Sequence, residues 1–353
     1  MLVVLALLSV VSYWLVSRSA RPVRSRLFAE KMGAVELSRR AFRLIAELRH
    51  GLGFPVDSVN DPNGTSLIGV QYSQTTYGRS DLSDALTTTN PNFSAALVEM
   101  LTRAGARRGD TVGVSWDGTY PALNVQLLAA CGALGIVPVI VTTQSAGMWG
   151  ANLPGLSWID IERHLVSSGL WHFRSTAALL GGEDDNGRGL SPEGRALLAA
   201  AVESARVRLY VPESLEQGVA LRDSLFRRAR VVVTLGRAVA NSGGSMERVP
   251  SRVISERWRR SHYRGLVGRA RDRRIPVVNI TNPNSVALSY HLPIAPVPLP
   301  APGRGRLFFE QRYSVALAAG LALLLLGLLV FSVRYDVEWY FGVRNDVLDK
   351  EAV

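Results

Sequence analysis

Two short apolar runs, Thr111–Ser115 and Ile136–Thr142, flank a helical stretch that begins near Pro121. Runs of this length, rich in Val and Ile and bounded by turn residues, are strands. With one helix between them they form a parallel βαβ unit, because an antiparallel pair needs only a hairpin. A second helical stretch, Asn92–Ala104, precedes the first strand. Asn90-Pro91 offers it an N-cap followed by proline at the first helical position. The pattern predicts an α/β fold with a Rossmann-like, open and mostly parallel sheet, helices flanking it and an amphipathic helix after Pro121.

The rest of the chain extends that alternation. Phe28–Gly51 carries Met32, Val35, Leu37, Phe42, Ile45 and Leu48 at helical spacing, with arginines and glutamates elsewhere, and the turn-rich connector Asp57–Gly64 follows. Ser66–Val70 reads as a first strand and Thr75–Asn90 as a polar, Thr-rich segment with Asp81 and Asp84. Helices are expected over Ser157–Ser167, Ser191–Ser204, Leu215–Arg228 and Tyr263–Ala270. Strands are expected at Leu209–Val211, Arg230–Leu235 and Ile275–Ile280.

Ligands of open parallel sheets bind beyond the carboxyl ends of the strands. Three polar loops fall there: Trp116–Pro121, Gln144–Asn152 and Gly236–Gly244. Gly181–Gly189 and Thr281–Asn284 are two further candidates. Helix N-termini on this rim present unpaired N–H groups suited to a carboxylate or phosphate. Arg188, Arg195 and Arg237 offer bidentate clamps. The expected ligand-binding residues are Asp117, Gly118, Thr119, Ser145, Trp149, Gly150, Asn152, Arg188 and Asn241.

Asp117 and Ser145 are the candidates for a reacting role, although an Asp after a strand commonly caps the next helix. Whether the chain is an enzyme stays open. No G-x-S-x-G elbow surrounds Ser115 or Ser145. Neither a P-loop nor a G-x-G-x-x-G is present, which argues against a nucleotide cofactor and an ATP-driven ligase. His50, His164, His172, His262 and His291 show no metal-ligand spacing, and Cys131 is the single cysteine. Glu183-Asp184-Asp185 reads as a solvated loop in preference to a cation site. No cofactor and no metal are expected.

The net charge is +11, and only Lys31 and Lys350 are lysines, so arginine carries nearly all of the excess. No zinc spacing, aromatic RNA platform or recognition-helix pattern accompanies it, so nucleic acid is not an expected partner.

Tyr313–Val333 is 21 residues without a charge, which predicts a transmembrane helix. Met1–Val16 is apolar apart from Ser9, Ser12 and Tyr13 and reads as an anchor in preference to a cleaved signal, having no basic n-region. That gap leads to the expectation of a start further upstream. The expected organisation is a transmembrane helix at 1–17, the amphipathic helix and connector at 28–64, the α/β domain at 65–292, a Pro-rich linker at 293–312, a second transmembrane helix at 313–333 and a tail at 334–353. Both termini would lie on one side of a bacterial cell membrane in a two-pass arrangement. Arginines just inside the spans favour a cytoplasmic domain.

Several stretches read together as a set: Leu67–Val70, Thr88–Phe93, Tyr120–Asn124, Trp149–Asn152, Gly181–Glu183 and Gly187–Arg195. Together they resemble the poly-γ-glutamate system protein family, most densely over Ile68–Arg195. The match weakens at Val231–Gly244, where a more glycine-rich loop is expected. The resemblance implies a membrane accessory protein of capsule or polymer biosynthesis and export. Its implied partners are the poly-γ-glutamate synthase ligase, that ligase's polytopic membrane subunit, and an anionic polymer or glutamate. It implies a pathway without assigning a reaction, and it favours an extracytoplasmic domain against the charge count. Three roles remain open: binding the polymer's carboxylates or a chain end, cleaving or transferring the γ-linked chain as a hydrolase or transferase, and scaffolding the synthase.

Overall fold

The computed structural model describes residues 2–244, 249–254 and 264–350, with backbone alone at Leu2 and over 335–350. Helices are α1 Leu2–Arg18, α2 Phe28–Gly51, α3 Leu82–Thr88, α4 Phe93–Arg103, α5 Pro121–Leu134, α6 Trp158–Ser167, α7 Pro192–Ser204, α8 Leu215–Leu225, α9 Val239–Ser242, α10 Gly265–Asp272, α11 Pro283–Ser289 and α12 Val315–Lys350. Strands are β1 Arg21–Arg24, β2 Thr111–Trp116, β3 Val137–Thr143, β4 Asn152–Leu153, β5 Leu156–Ser157, β6 Ser175–Leu179, β7 Leu209–Tyr210, β8 Val231–Leu235, β9 Arg252–Ile254, β10 Val277–Ile280 and β11 Phe309–Arg312. Two compact units result: Arg26–Phe308, and the terminal segments Met1–Ser25 with Phe309–Val353.

The larger unit is α/β, built on a seven-stranded sheet of order β7-β6-β3-β2-β8-β10-β9. Every neighbouring pair is parallel except β9 with β10. From β2 the chain steps outward through β3 and β6 to β7, then returns to lay β8 against the other side of β2. The order of connection therefore reverses between β2 and β8, and the crevice at their carboxyl ends is the switch point.

Helix α5 is not amphipathic, contrary to expectation. Its residues from Pro121 to Cys131 are buried all round, because α2 and α4 pack against it on one side and β3 on another. The Phe28–Gly51 helix thus belongs to the domain: Ala34, Val35, Ala41 and Ile45 are fully buried. Lys31, also buried, reaches Glu99 at 3.1 Å and the Leu307 carbonyl at 2.7 Å. Leu307 and Phe308 are themselves buried, so the stretch expected to be linker is part of the domain up to Phe308, and its last residues form β11.

The opposite sheet face is covered by α8 and α10, with Phe226, Val232, Leu266 and Val277 in one apolar cluster. A Cβ on Gly113 would lie 2.4 Å from the Phe226 ring. Gly113→Ala should therefore cost about 1–3 kcal/mol by overpacking, measured as a lower urea midpoint with an unchanged slope.

Other departures from expectation have local causes. Ser66–Val70 is no strand; it bonds to a loop instead, through Gly69 N to the Trp149 carbonyl and Trp149 N to the Val70 carbonyl, both at 2.9 Å. The N-cap of α4 is Asn92, while Asn90 accepts from the Asn92 amide in the turn before it. Asp81 caps the unforeseen α3 by accepting from Ser83 N. Strands β6 and β9 are short and lack alternation. Part of the basic run after Met246, with His262 and Tyr263, lies outside the described residues.

At the start of β6, Glu162 of α6 is buried and accepts from the Ser175 amide at 2.8 Å and the Ser175 hydroxyl at 2.7 Å. Burial pushes its carboxyl from 4.5 up to about 7, with the Ser175 bonds opposing. The unfolded chain then releases this proton earlier than the folded one. Stability from this group is full below about pH 4.5 and falls by roughly 3 kcal/mol as pH rises to about 7. Unfolding titrations of Glu162→Gln should show that slope flattened.

In the smaller unit, β1 and β11 form an antiparallel ribbon with α1 and α12 leading from it. Among the described residues one helix, Val315–Arg334, is long and apolar enough to cross a membrane. Helix α1, with 17 residues, is shorter than the roughly 20 a span needs. The two-span arrangement expected from sequence is thus not supported by helix length.

Candidate functional site at the switch point of the sheet

Asp117 follows β2 directly and is buried at 4 % exposure. Its Oδ1 accepts from the Thr119 amide at 2.9 Å and its Oδ2 from the Arg237 amide at 2.7 Å. One carboxylate therefore ties the loop after β2 to the loop after β8, across the switch point. Gly236 permits this approach: it sits at φ +87°, and a Cβ there would lie 2.2 Å from Asp117 Oδ1. Burial raises the Asp117 carboxyl to about 6, opposed by the amide bonds from Thr119 and Arg237.

The Gln144–Asn152 loop is stitched to the same place. Gly118 N donates to the Ser145 carbonyl at 3.4 Å, Ala151 N to the Gly118 carbonyl at 2.7 Å and Gly147 N to Thr119 Oγ1 at 3.0 Å. A Cβ on Gly150 would lie 2.5 Å from the Gly118 carbonyl oxygen, so glycine is needed for this contact. Asn152, fully buried, accepts from Val70 N and donates to the Val70 carbonyl and Thr76 Oγ1. Trp149 is half-buried at φ 64°. The structure thus places Asp117, Gly118, Thr119, Ser145, Trp149, Gly150 and Asn152 on two loops bonded to each other. The Gly118 and Thr119 amides and both polar atoms of the Asn152 side chain serve the protein's own loops.

Ser145 Oγ has no histidine bond among the described residues, and a Cβ on Gly181 would lie 1.9 Å from it, so the hydroxyl packs under the glycine loop. Both Asp117 oxygens are engaged. Neither has the setting of a nucleophile paired with a base.

Arg188 and Asn241 stand apart from this group. Arg188 is exposed and pairs with Glu183 and Asp184, each at 3.0 Å. Arg195 donates to its own loop at the Leu190 carbonyl. Asn241 accepts from Ser115 Oγ at 2.6 Å within a buried network centred on Arg222. Arg222, with no exposure, donates from Nε to Ser115 Oγ at 2.9 Å and from Nη2 to Thr143 Oγ1 at 2.8 Å, and its Nη1 meets Asp185 Oδ2 at 2.6 Å. Asp185 thus serves an internal ion pair, and no metal-holding group of His, Cys, Asp or Glu occurs among the described residues. Cys131 is fully buried, its thiol pushed up to about 12 by burial, and is unreactive.

Above Asp117 the switch point is walled by Tyr120, Asp84 of α3 and Arg237. Asp84 Oδ1 accepts from Asn284 N at 2.9 Å; burial raises its carboxyl, while that bond and Arg237 oppose the shift. The Tyr120 hydroxyl is fully buried without a partner among the described residues, within the electrostatic reach of Asp84, Arg237, Asp117 and Asp81. Arg237 is half-buried, and its guanidinium makes no ion pair among the described residues. Both polar atoms of Gln144, at the carboxyl end of β3, are also buried and unpartnered. Buried polar groups are ordinarily bonded, so this rim retains hydrogen-bonding capacity that the fold itself does not use.

Comparison with protein-family models, with curated proteins and with solved structures found no match in any of the three. The site therefore has to be read from its own chemistry.

Sequence reasoning placed Arg237 among the clamps and Asp84 in an acidic patch, but it missed Tyr120 and Arg222. Tyr120 precedes the helix-opening Pro121, and Arg222 lies mid-helix between Leu221 and Asp223, so neither has a local signature. Three acids, Asp81, Asp84 and Asp117, face one arginine here, so the rim is not the uniformly basic surface that the net charge suggests.

Proposed function

We propose that the protein is a membrane-anchored accessory subunit of poly-γ-glutamate synthesis or export, and that its switch-point rim holds an end of the polymer. The pathway rests on the sequence resemblance. The observation that carries the ligand is the juxtaposition of an ion-pair-free Arg237 with Asp84, Asp117 and the unpartnered Tyr120 hydroxyl. A run of side carboxylates would meet net repulsion there. The amino end of a γ-glutamyl chain instead carries an α-carboxylate and an α-ammonium on one carbon. Arg237 would clamp the carboxylate in bidentate fashion, Asp84 would take the ammonium, and Tyr120 would donate to the nearer carboxylate oxygen. The two-pass arrangement belongs to this reading, with α12 as one span and α1 as a shorter second one. Binding is favoured over hydrolysis because both Asp117 oxygens accept backbone amides and Ser145 Oγ has no histidine bond among the described residues.

Calorimetry on the full chain in detergent tests this. Oligo-γ-glutamate with a free amino end should bind, and the same oligomer N-acetylated should bind at least tenfold more weakly. Arg237→Ala should lose roughly 2–3 kcal/mol of affinity, the worth of a charge-assisted pair. Equal binding of the acetylated and free oligomers would overturn the chain-end reading. Product sizing that shows shortened polymer would establish the hydrolase in its place.

A further inference from the structure

The ribbon of the smaller unit places two arginines directly opposite each other. In the β1–β11 register Arg21 faces Arg312, and Val23 faces Glu310 two residues on. Opposed residues on one face of an antiparallel pair have Cβ atoms about 5 Å apart, and like charges so placed repel. Neither arginine forms an ion pair among the described residues, Glu310 included, and both are exposed. The ribbon thus holds two guanidinium forks side by side where its own sequence supplies no counter-charge.

The position of that pair identifies the missing charge. Helix α1 ends at Arg18 and α12 begins at Val315, so both leave the ribbon at its Arg21–Arg312 end. The two chains are tied there by Ser314 N donating to Ser19 Oγ at 3.1 Å. Tyr13 and Trp14 in the last turns of α1 and Tyr313 just before α12 are each more than half exposed, and the Arg18 guanidinium lies 4.3 Å from the centre of the Trp14 ring. Aromatic side chains and arginines at the base of apolar helices are the composition of a membrane interface. Beyond them, Val315–Arg334 is apolar with almost none of its surface buried.

We propose that Arg21 and Arg312, with Arg18 beside them, clasp the phosphate of an anionic lipid headgroup at the membrane surface. Two planar forks converging on one phosphate satisfy their donors in bidentate fashion and cancel the cross-strand repulsion. A zwitterionic lipid offers the same phosphate with its charge offset by choline. The clasp rests on the membrane-spanning reading given above and is independent of the ligand at the switch point.

The test is native mass spectrometry of the full chain released from neutral detergent holding equal amounts of phosphatidylglycerol and phosphatidylcholine. The wild-type chain should retain phosphatidylglycerol about tenfold over phosphatidylcholine, and Arg21→Gln with Arg312→Gln should bring that ratio near one. Arg21→Glu restores charge complementarity across the ribbon without lipid and should lose the preference equally, which separates lipid binding from ribbon pairing. An unselective wild type, or an undiminished preference in the double variant, would overturn the clasp. So would displacement of the lipid by millimolar inorganic phosphate, marking a free-phosphate site, or by poly-γ-glutamate, marking a polymer site. Alkaline extraction of membranes carrying the chain reports on the spans separately: release sinks the spanning reading, and retention without lipid preference sinks only the clasp.

Discussion

Arg222→Met should lower the unfolding free energy by about 3–5 kcal/mol, the largest single-residue effect expected in the α/β unit. The arginine is fully buried, and its removal leaves Asp185, 2 % exposed, as a charge in a low-dielectric interior facing Thr143 alone. Ser115 and Thr143 lose a donor at the same time, and α8 loses its polar tie to the carboxyl ends of β2 and β3. Pairing the change with Asp185→Asn removes the stranded charge and should recover a large part of the loss. Urea unfolding of both variants, followed by far-UV circular dichroism, measures this; equal destabilisation by the single and double variants would mean that the pair is not coupled.

Removing the carboxylate at the switch point should have the next largest effect. Asp117→Ala leaves the amides of Thr119 and Arg237 without their acceptor and frees two loops from each other, at a cost of about 2–4 kcal/mol. Binding of the γ-glutamyl chain end should vanish as well, because Arg237 is aimed by its own backbone bond to Asp117.

Asp117→Asn isolates the titration. The fold raises this carboxyl from 3.8 to about 6, so the folded chain holds the proton over a range where the unfolded chain has released it. Stability from the group is full below about pH 4 and declines by roughly 3 kcal/mol as pH rises to about 6. Asparagine has no such proton, and its unfolding profile should be flat across that interval apart from other groups. A slope unchanged from wild type would assign the pH dependence elsewhere, with Glu162 as the next group to replace.

The switch point and the buried arginine network lie on either side of β2, and they explain why so little of the predicted rim is open. Ser115 and Asp117 are two residues apart on one strand end. Ser115 turns toward Arg222, while Asp117 closes over the loop after β8. The half-buried Arg237 makes no ion pair among the described residues, and the buried Tyr120 hydroxyl is left without a hydrogen-bond partner.

What could be read from the chain alone was whatever local spacing dictates. The apolar runs at Thr111–Ser115 and Ile136–Thr142 are buried on both faces, so their composition announces parallel strands. Pro121 and Ser191-Pro192 start helices by fixing φ and offering caps, and 21 uncharged residues have no stable place in water outside a core. The clustering of Asp117 with the Gln144–Asn152 loop also follows from sequence, since adjacent parallel strands must bring their carboxyl-end loops together.

The tertiary structure alone decided what those residues do there. Asn152 and Gly118 look like rim ligands in sequence, yet their polar groups are spent on Val70, Ser145 and Ala151, which are distant or unremarkable in the chain. Arg222 reads as a surface helix residue until α8 packs on the sheet and Asp185 meets it from another loop. The Arg21–Arg312 opposition exists only because strands from near the two ends of the chain pair in one register. In each case the deciding quantity is a long-range hydrogen bond or charge contact, and its energy depends on burial and distance that no local run of residues encodes.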